Sequence, residues 1–390
     1  MSRLVKADCF DPKMTITEKS SPVISFSRVN NFNLIRLLAA VQVMFFHTIH
    51  RLQVQPFGWL DGVLKFIENF FPGLPIFFII SGFLVTMSYE RTRHDLSAYL
   101  YNRVSRLYPA LYACFVITLI LLIATGTLTK EILHSSRFWL WTIGQLTFVQ
   151  FYNPSEFRSF GVGVVNGPVG TISTEINFYV LLPLLYCVFK LEKRSASFRN
   201  LIFLILGAIS FVFMVVYLEA PAAPSGSFSW VKLLYMSVIP QLWLFLFGVS
   251  LYTNWSFCAP FIRGKLLIWF PAYIALCALV HFSKPEGVLY YSLFLMHRCV
   301  LALVIISAAF TREEFTTRWL HDVDLSYGVY LYHMLVVNTF IFFGLKGRFI
   351  FATLVFAIAF ALALLSWRFI ESPVLARKRK FLAPNLAAAR

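Results

Sequence analysis

Charge is what this sequence has least of: Asp, Glu, Lys and Arg make up 13% of its 390 residues. A soluble chain of this length carries nearer about 25%. With 59% of residues hydrophobic and 18% aromatic, a single water-soluble core is excluded and a polytopic membrane protein remains. Acidic residues are scarcer still, 18 against 34 Lys and Arg, which leaves a net charge of +16. The basic residues fall in short runs between apolar segments, with no basic aromatic surface module beside them. They therefore read as topogenic charge in a lipid bilayer, and no nucleic-acid partner is expected. The six cysteines (Cys9, Cys114, Cys187, Cys258, Cys277, Cys299) are scattered without a CxxC pair, so neither a disulfide framework nor a metal site is expected. The first thirty residues mix both signs of charge with Pro12 and Pro22, and the first apolar run contains Arg36, so a cleaved signal peptide is not expected either.

What is present is a series of long apolar runs interrupted by a few ionisable residues. The first run, Asn31 to Arg51, carries two residues that a lipid-facing helix rejects, Arg36 and His47. Eleven positions at 100° each make three turns with about 20° left over, so the two share a face about 16 Å apart. An ionisable side chain at membrane depth costs about 2.5 kcal/mol or more, which sends such residues to a protein interior or a watery cavity. Singly, a snorkelling arginine and a satisfied core histidine are equally good readings. The aligned pair favours a lined path.

A second apolar segment, near 66–88, opens with Pro72 and Pro75, which break or kink its start. Arg91, Arg93, Arg103 and Arg106 cluster ahead of a third span near 107–126, and Arg103 and Arg106, three apart, share a helical face. A shorter apolar piece at 137–151 precedes the sequence GVGVVNGP and a span near 170–190 that opens with Glu175. Six more spans fit near 200–219, 233–252, 265–282, 288–310, 324–345 and 349–370, before ARKRK at 376–380. The loops near 190–199, 252–265 and 311–323 and the C-terminal tail hold most of the Lys and Arg, which marks them as cytoplasmic. A crossing at 137–151 would put 190–199 outside, so that piece reads as re-entrant or interfacial. The expected fold is an all-α polytopic membrane protein of about ten transmembrane helices, with both termini cytoplasmic. It divides into a polar tail (1–30), one membrane-embedded domain (31–373) and a basic tail (374–390). In this topology Arg36, Arg103 and Arg106 lie toward the inner face, and His47 and Glu175 toward the outer one.

Taken in order, these residues resemble the acyltransferase 3 family of integral membrane O-acyltransferases. The likeness begins with Arg-x10-His, here Arg36 and His47, and FFIISGFL at 77–84. It continues with Arg-x-x-Arg ahead of Leu-Tyr-Pro (Arg103, Arg106, Pro109) and with Gly167 and Pro168 leading to Glu175, Phe178 and Tyr179. SYGVYLYH at 326–333 and WRFIESP at 367–373 complete it, so the likeness runs from about 30 to 373. The chain departs from the pattern at Gly170, where the family usually has Trp. The resemblance implies a bacterial inner-membrane enzyme with no bound cofactor. Such an enzyme moves an acyl group, usually acetyl from cytoplasmic acetyl-CoA, to a hydroxyl of a glycan on the far side, such as lipopolysaccharide or another polysaccharide. No appended extracytoplasmic hydrolase-like domain, which some relatives carry, is expected.

Acyl transfer to a hydroxyl needs a base of near-neutral pKa or a nucleophile that carries the acyl group, and His47 suits either role. Glu175 is either the carboxylate that orients this imidazole or a helix N-terminal acid favoured by the macrodipole. Arg103 and Arg106 suit the phosphates of CoA, against a plain topogenic reading, and Arg36 suits the pyrophosphate or the pantetheine arm. Ser326, Tyr330 and His333, at i, i+4 and i+7, form either core packing or a cavity wall that meets substrate. Arg298, mid-span beside His297, must find a partner or water and belongs to none of the motifs. The alternative function is a transporter or channel for a small polar or anionic solute, which also uses buried charges and broken helices. No inverted repeat supports it.

Overall fold

A computed structural model describes residues 29–55, 58–150, 152–220, 234, 237–320 and 323–377. Nearly all of the polar tail, and the basic tail beyond 377, lie outside these. Among the described residues every regular element is helical. The first apolar run forms α1 (Phe32–Arg51). The second breaks where its prolines predict, into α2 (Trp59–Phe70) and α3 (Gly73–Arg91). Pro72 precedes α3, and Pro75 sits in its first turn, where a missing N–H removes no helical bond. The next helix, α4 (Leu96–Ala124), starts eleven residues before the expected span, capped by Asp95, whose side chain accepts from the amides of Ser97 and Ala98. At 29 residues it is about 43 Å long, and both Arg103 and Arg106 lie inside it.

Beyond a one-turn helix, α5 (Ser136–Leu146) has 11 residues, about 16 Å, roughly half the hydrocarbon thickness. It is too short to cross, as expected for a re-entrant or interfacial piece. Then come α6 (Val169–Val188), α7 (Ala196–Glu219), α8 (Leu242–Thr253) and α9 (Trp255–Ile262). The chain turns by 94° between Ile239–Thr253 and α9, so the segment expected as a plain loop at 252–265 contains a helix laid aside from its neighbour. The last elements are α10 (Leu266–Ser283), α11 (Gly287–Ala309), the short α12 (Glu314–Leu320), α13 (Ser326–Phe342), and α14 (Phe349–Ser366), which runs on into a π-turn over Trp367–Glu371. Among the described residues eight helices are long and apolar enough to cross a membrane, or nine if the bent pair counts as one span. The expectation is about ten; α13, with 17 residues and about 25 Å long, falls just short of that length.

Apolar all round, α13 has no lipid face to offer and is buried along all but its last turn. It packs between α1 and α14 and against α4. Lipid tails provide no hydrophobic drive for helix association, so close approach through small residues does the work. A Cβ on Gly82 of α3 would stand 2.0 Å from the carbonyl oxygen of Phe245 in α8, and one on Gly248 would stand 2.1 Å from that of Ile79. These two glycines let the α3 and α8 backbones touch.

The stretch 155–168 is non-helical apart from one 3-10 turn, yet it enters the bundle, with Phe157 and Phe160 fully buried. Such backbone is tolerated at membrane depth only when protein groups satisfy it. Asn338 of α13 does so: its Oδ1 accepts from the amide of Val162 at 3.1 Å, and its Nδ2 donates to the carbonyls of Val164 and Val165 at 2.8 Å each. One step further, Asn166 Nδ2 donates to the carbonyl of Leu331 at 3.0 Å. The start of α6 is therefore recessed, level with the second turn of α13.

Candidate active site

Two contacts tie α1 to α13 and show that they run parallel. At one end Arg36 Nη1 donates to Asp324 Oδ2 at 2.9 Å. Toward the other, His47 Nδ1 lies 2.9 Å from His333 Nε2, the two rings edge to edge with centroids 5.2 Å apart and planes within 23°. Arg36 and His47 thus share a face, and that face meets α13. Each cation or imidazole is spared exposure to lipid by a partner on the buried helix.

Asp324 is 4% exposed and fully used. Its Oδ1 accepts from Ser326 N at 3.1 Å and Ser326 Oγ at 2.5 Å, and its Oδ2 takes Arg106 as well as Arg36. Arg106 also lies over the ring of Trp367, 5.9 Å away. Nearby, Glu371 accepts from Ser366 Oγ at 3.0 Å, while its second oxygen is buried without a hydrogen-bond partner among the described residues. Arg103 is less committed: its guanidinium stacks on Tyr179 at 5.5 Å and is half-buried.

A cleft opens beside Arg36, walled by Leu74, Phe77, Phe78 and Ser81 of α3, Thr171, Ile172 and Glu175 of α6, and Ser326, Tyr327 and Tyr330 of α13. Tyr330 connects it to the histidines. Its hydroxyl lies 2.5 Å from Thr171 Oγ1, and its ring meets Phe77 at 5.5 Å and His333 at 5.8 Å, both edge-on. Ser81 Oγ is buried without a partner among the described residues, so a polar group entering the cleft would find a free hydroxyl.

Most of the residues singled out from sequence therefore converge. Arg36, Glu175, Ser326 and Tyr330 line one cleft, His47 and His333 pair behind Tyr330, and Arg103 and Arg106 occupy its charged end. Two placements differ from expectation. Glu175 does not meet His47. It accepts the hydroxyl of Tyr179, one turn on in α6, and because that helix begins recessed it lies at the depth of the Arg36 cleft. Arg298 stands elsewhere: it is 9% exposed, lies 4.9 Å from the Phe294 ring, and has Nε and Nη1 without partners among the described residues. Beside it, His297 Nε2 is 2.7 Å from Tyr273 Oη in a cluster that joins α10, α11 and the end of α2. Sequence reading missed Asp324. The available signal was an acid, the second of Asp322 and Asp324, immediately before an apolar run in a chain with arginines near the same membrane face.

The bundle thus brings a cationic end, an internal polar cleft and an imidazole pair with one accessible ring into one place, the groups that acyl transfer calls for. The chain belongs to the acyltransferase 3 family: the model of that acyltransferase domain matches residues 29–368. It is 30% identical over 376 residues to nodulation protein 10 of Rhizobium leguminosarum bv. viciae, covering 92% of this chain and 97% of that one. It is 25% identical to a peptidoglycan O-acetyltransferase of Listeria monocytogenes, over 89% of this chain and 56% of the relative. A putative peptidoglycan O-acetyltransferase of Bacillus subtilis is 24% identical, over 87% and 54%. The chain thus spans little more than half the length of the latter two. No solved structure matches. The protein is a multi-pass membrane acyltransferase, and the transporter alternative falls away.

Proposed function

We propose that the protein transfers an acetyl group from cytoplasmic acetyl-CoA to a hydroxyl of a glycan on the opposite face of a bacterial inner membrane, with His47 as general base. The observation that carries this reading is the continuity of polar groups from the Arg103, Arg106 and Arg36 end, along the cleft, to His47. The donor's phosphates would meet guanidinium groups at the mouth. Its pantetheine arm would lie in the cleft, where Ser81, Ser326 and Glu175 offer polar contacts among Phe77, Phe78 and Leu74. The thioester would then reach the histidines beyond Tyr330. From the other side the acceptor hydroxyl gives its proton to His47, and its oxygen attacks the acyl carbon. The C–S bond breaks and the thiolate takes the proton from His47, so that an ester and free CoA leave. Glycan acceptors and acetyl transfer are what the two peptidoglycan O-acetyltransferases among the relatives support.

The test uses membrane vesicles from the source bacterium lacking its own copy, complemented in trans, with labelled acetyl-CoA supplied at the cytoplasmic face. Base-labile label should appear in glycan. General base catalysis typically contributes about 10²- to 10⁴-fold, so His47→Ala should lose that much transfer while still binding acetyl-CoA. Near-normal transfer by well-folded His47→Ala would sink the assignment.

A further inference from the structure

His333 Nδ1 lies 3.1 Å from the carbonyl oxygen of Val329, one turn earlier in α13. A carbonyl oxygen only accepts, so this nitrogen carries a hydrogen. His333 is fully buried, and a neutral imidazole protonated on Nδ1 keeps its lone pair on Nε2. That lone pair faces His47 Nδ1 at 2.9 Å, so the hydrogen between the two rings belongs to His47. The lone pair of His47 is then on Nε2, the nitrogen directed away from His333. His47 is half-buried while His333 is not accessible at all, so the ring that can meet a substrate is the one whose tautomer is dictated by its neighbour.

From this geometry we infer that His333 is a positioning residue for acyl transfer, holding His47 in the tautomer and orientation that present a basic Nε2 to the acceptor hydroxyl. The inference rests on the reading of His47 as base. It assigns to a neutral imidazole the task that a carboxylate performs in a serine-type triad. At membrane depth that substitution has a physical reason, because a carboxylate here would need a permanent cation beside it, whereas a neutral ring needs only the Val329 carbonyl. When His47 Nε2 takes the hydroxyl proton, its Nδ1–H bond to His333 strengthens as a charge-assisted bond. When the proton passes on to the leaving thiolate, both rings return to their starting states and nothing is consumed at His333.

The vesicle assay above tests this with five variants, reading apparent Vmax and acetyl-CoA KM separately. His333→Leu removes the acceptor for His47 Nδ1–H and should cut Vmax about 10²-fold or more, with KM within about threefold of wild type. His333→Gln places a side-chain oxygen near the position of Nε2 and should recover about tenfold or more over the leucine variant. The double variant His47→Ala/His333→Leu should be no slower than His47→Ala alone, because His333 acts only through His47. If His333→Leu keeps wild-type Vmax in a folded protein while His47→Ala is inactive, the positioning role is overturned and the base assignment stands. If His47→Ala is active, the base assignment itself falls. Should the leucine variant fail to fold, His333→Gln and His333→Asn decide: the shorter asparagine cannot reach, and equal rates for the two would overturn the inference.

Discussion

Arg36 and Asp324, 288 positions apart in sequence, are joined at 2.9 Å, and the same carboxylate oxygen also holds Arg106. One internal anion thus bridges two of the guanidiniums to which the proposal brings a donor phosphate. Two cations share this carboxylate, with Glu371 and Glu175 close by, so each arginine is satisfied without a bound anion and an added phosphate would compete with internal carboxylates. Both a structural and a binding consequence follow.

Asp324→Asn should destabilise the detergent-purified protein strongly, by about 3–5 kcal/mol, because removing one partner of a buried ion pair leaves uncompensated charge. Added CoA should restore part of the lost melting temperature, since its phosphates supply the missing anion. An unchanged melting temperature would mean that the triad is solvated.

Arg103 and Arg106 should separate in their effects. Arg103→Ala removes a side chain whose guanidinium is stacked on Tyr179 and is bound to no carboxylate among the described residues, so stability should hold. Acetyl-CoA KM should rise about 10- to 100-fold, the equivalent of a charge-assisted hydrogen bond of about 1.5–3 kcal/mol. Arg106→Ala should lower the melting temperature first, by stripping Asp324 of one of its two arginines. Steady-state kinetics and thermal unfolding of the two proteins, run side by side, check this.

Transfer should rise with pH through a single ionisation that is absent in His47→Ala, because a base must be unprotonated to accept the hydroxyl proton. Glu175→Gln should keep that ionisation and lose less rate than His47→Ala, since Glu175 bonds Tyr179 and not His47. A pH–rate profile that flattens in Glu175→Gln would reverse the two roles.

Gly82→Leu should prevent α3 and α8 from closing. Even the first side-chain carbon meets the Phe245 carbonyl at 2.0 Å, and overpacking of this kind costs about 1–3 kcal/mol or more. The folded fraction by fluorescence-detected size exclusion should fall sharply, whereas Gly207→Leu, on a helix with open space beside it, should be tolerated.

A reporter fused after Arg194 should read cytoplasmic and one fused near Asn153 extracytoplasmic, as follows if α5 does not cross and the basic loops lie inside. A cytoplasmic signal at Asn153 would require α5 to span.

The helices were legible because burial in lipid demands long apolar runs and backbone self-satisfaction, both of which composition records. The shared face of Arg36 and His47 was legible too, since helical periodicity alone aligns residues eleven apart. Asp324 was not, because its role exists only when α1, α4 and the start of α13 come together, and no local pattern encodes that meeting. Glu175 was misjudged in depth for a similar reason. Asn338, an amide inside an apolar helix, draws 155–168 into the bundle and sinks the start of α6 with it. The His47–His333 pair lay between these cases. Each histidine stood out in its own helix, but their partnership depends on the registry of α1 against α13.

That registry has a mechanical consequence. The two helices are pinned twice, at Arg36–Asp324 and at His47–His333, about three helical turns apart along α1. Two fastenings along one helix resist its rolling or sliding against the neighbour, so on the proposed role of His47 its imidazole holds one station in the membrane rather than being carried across it. The proposal then has donor and acceptor both travel to a stationary imidazole, one from each face of the bilayer.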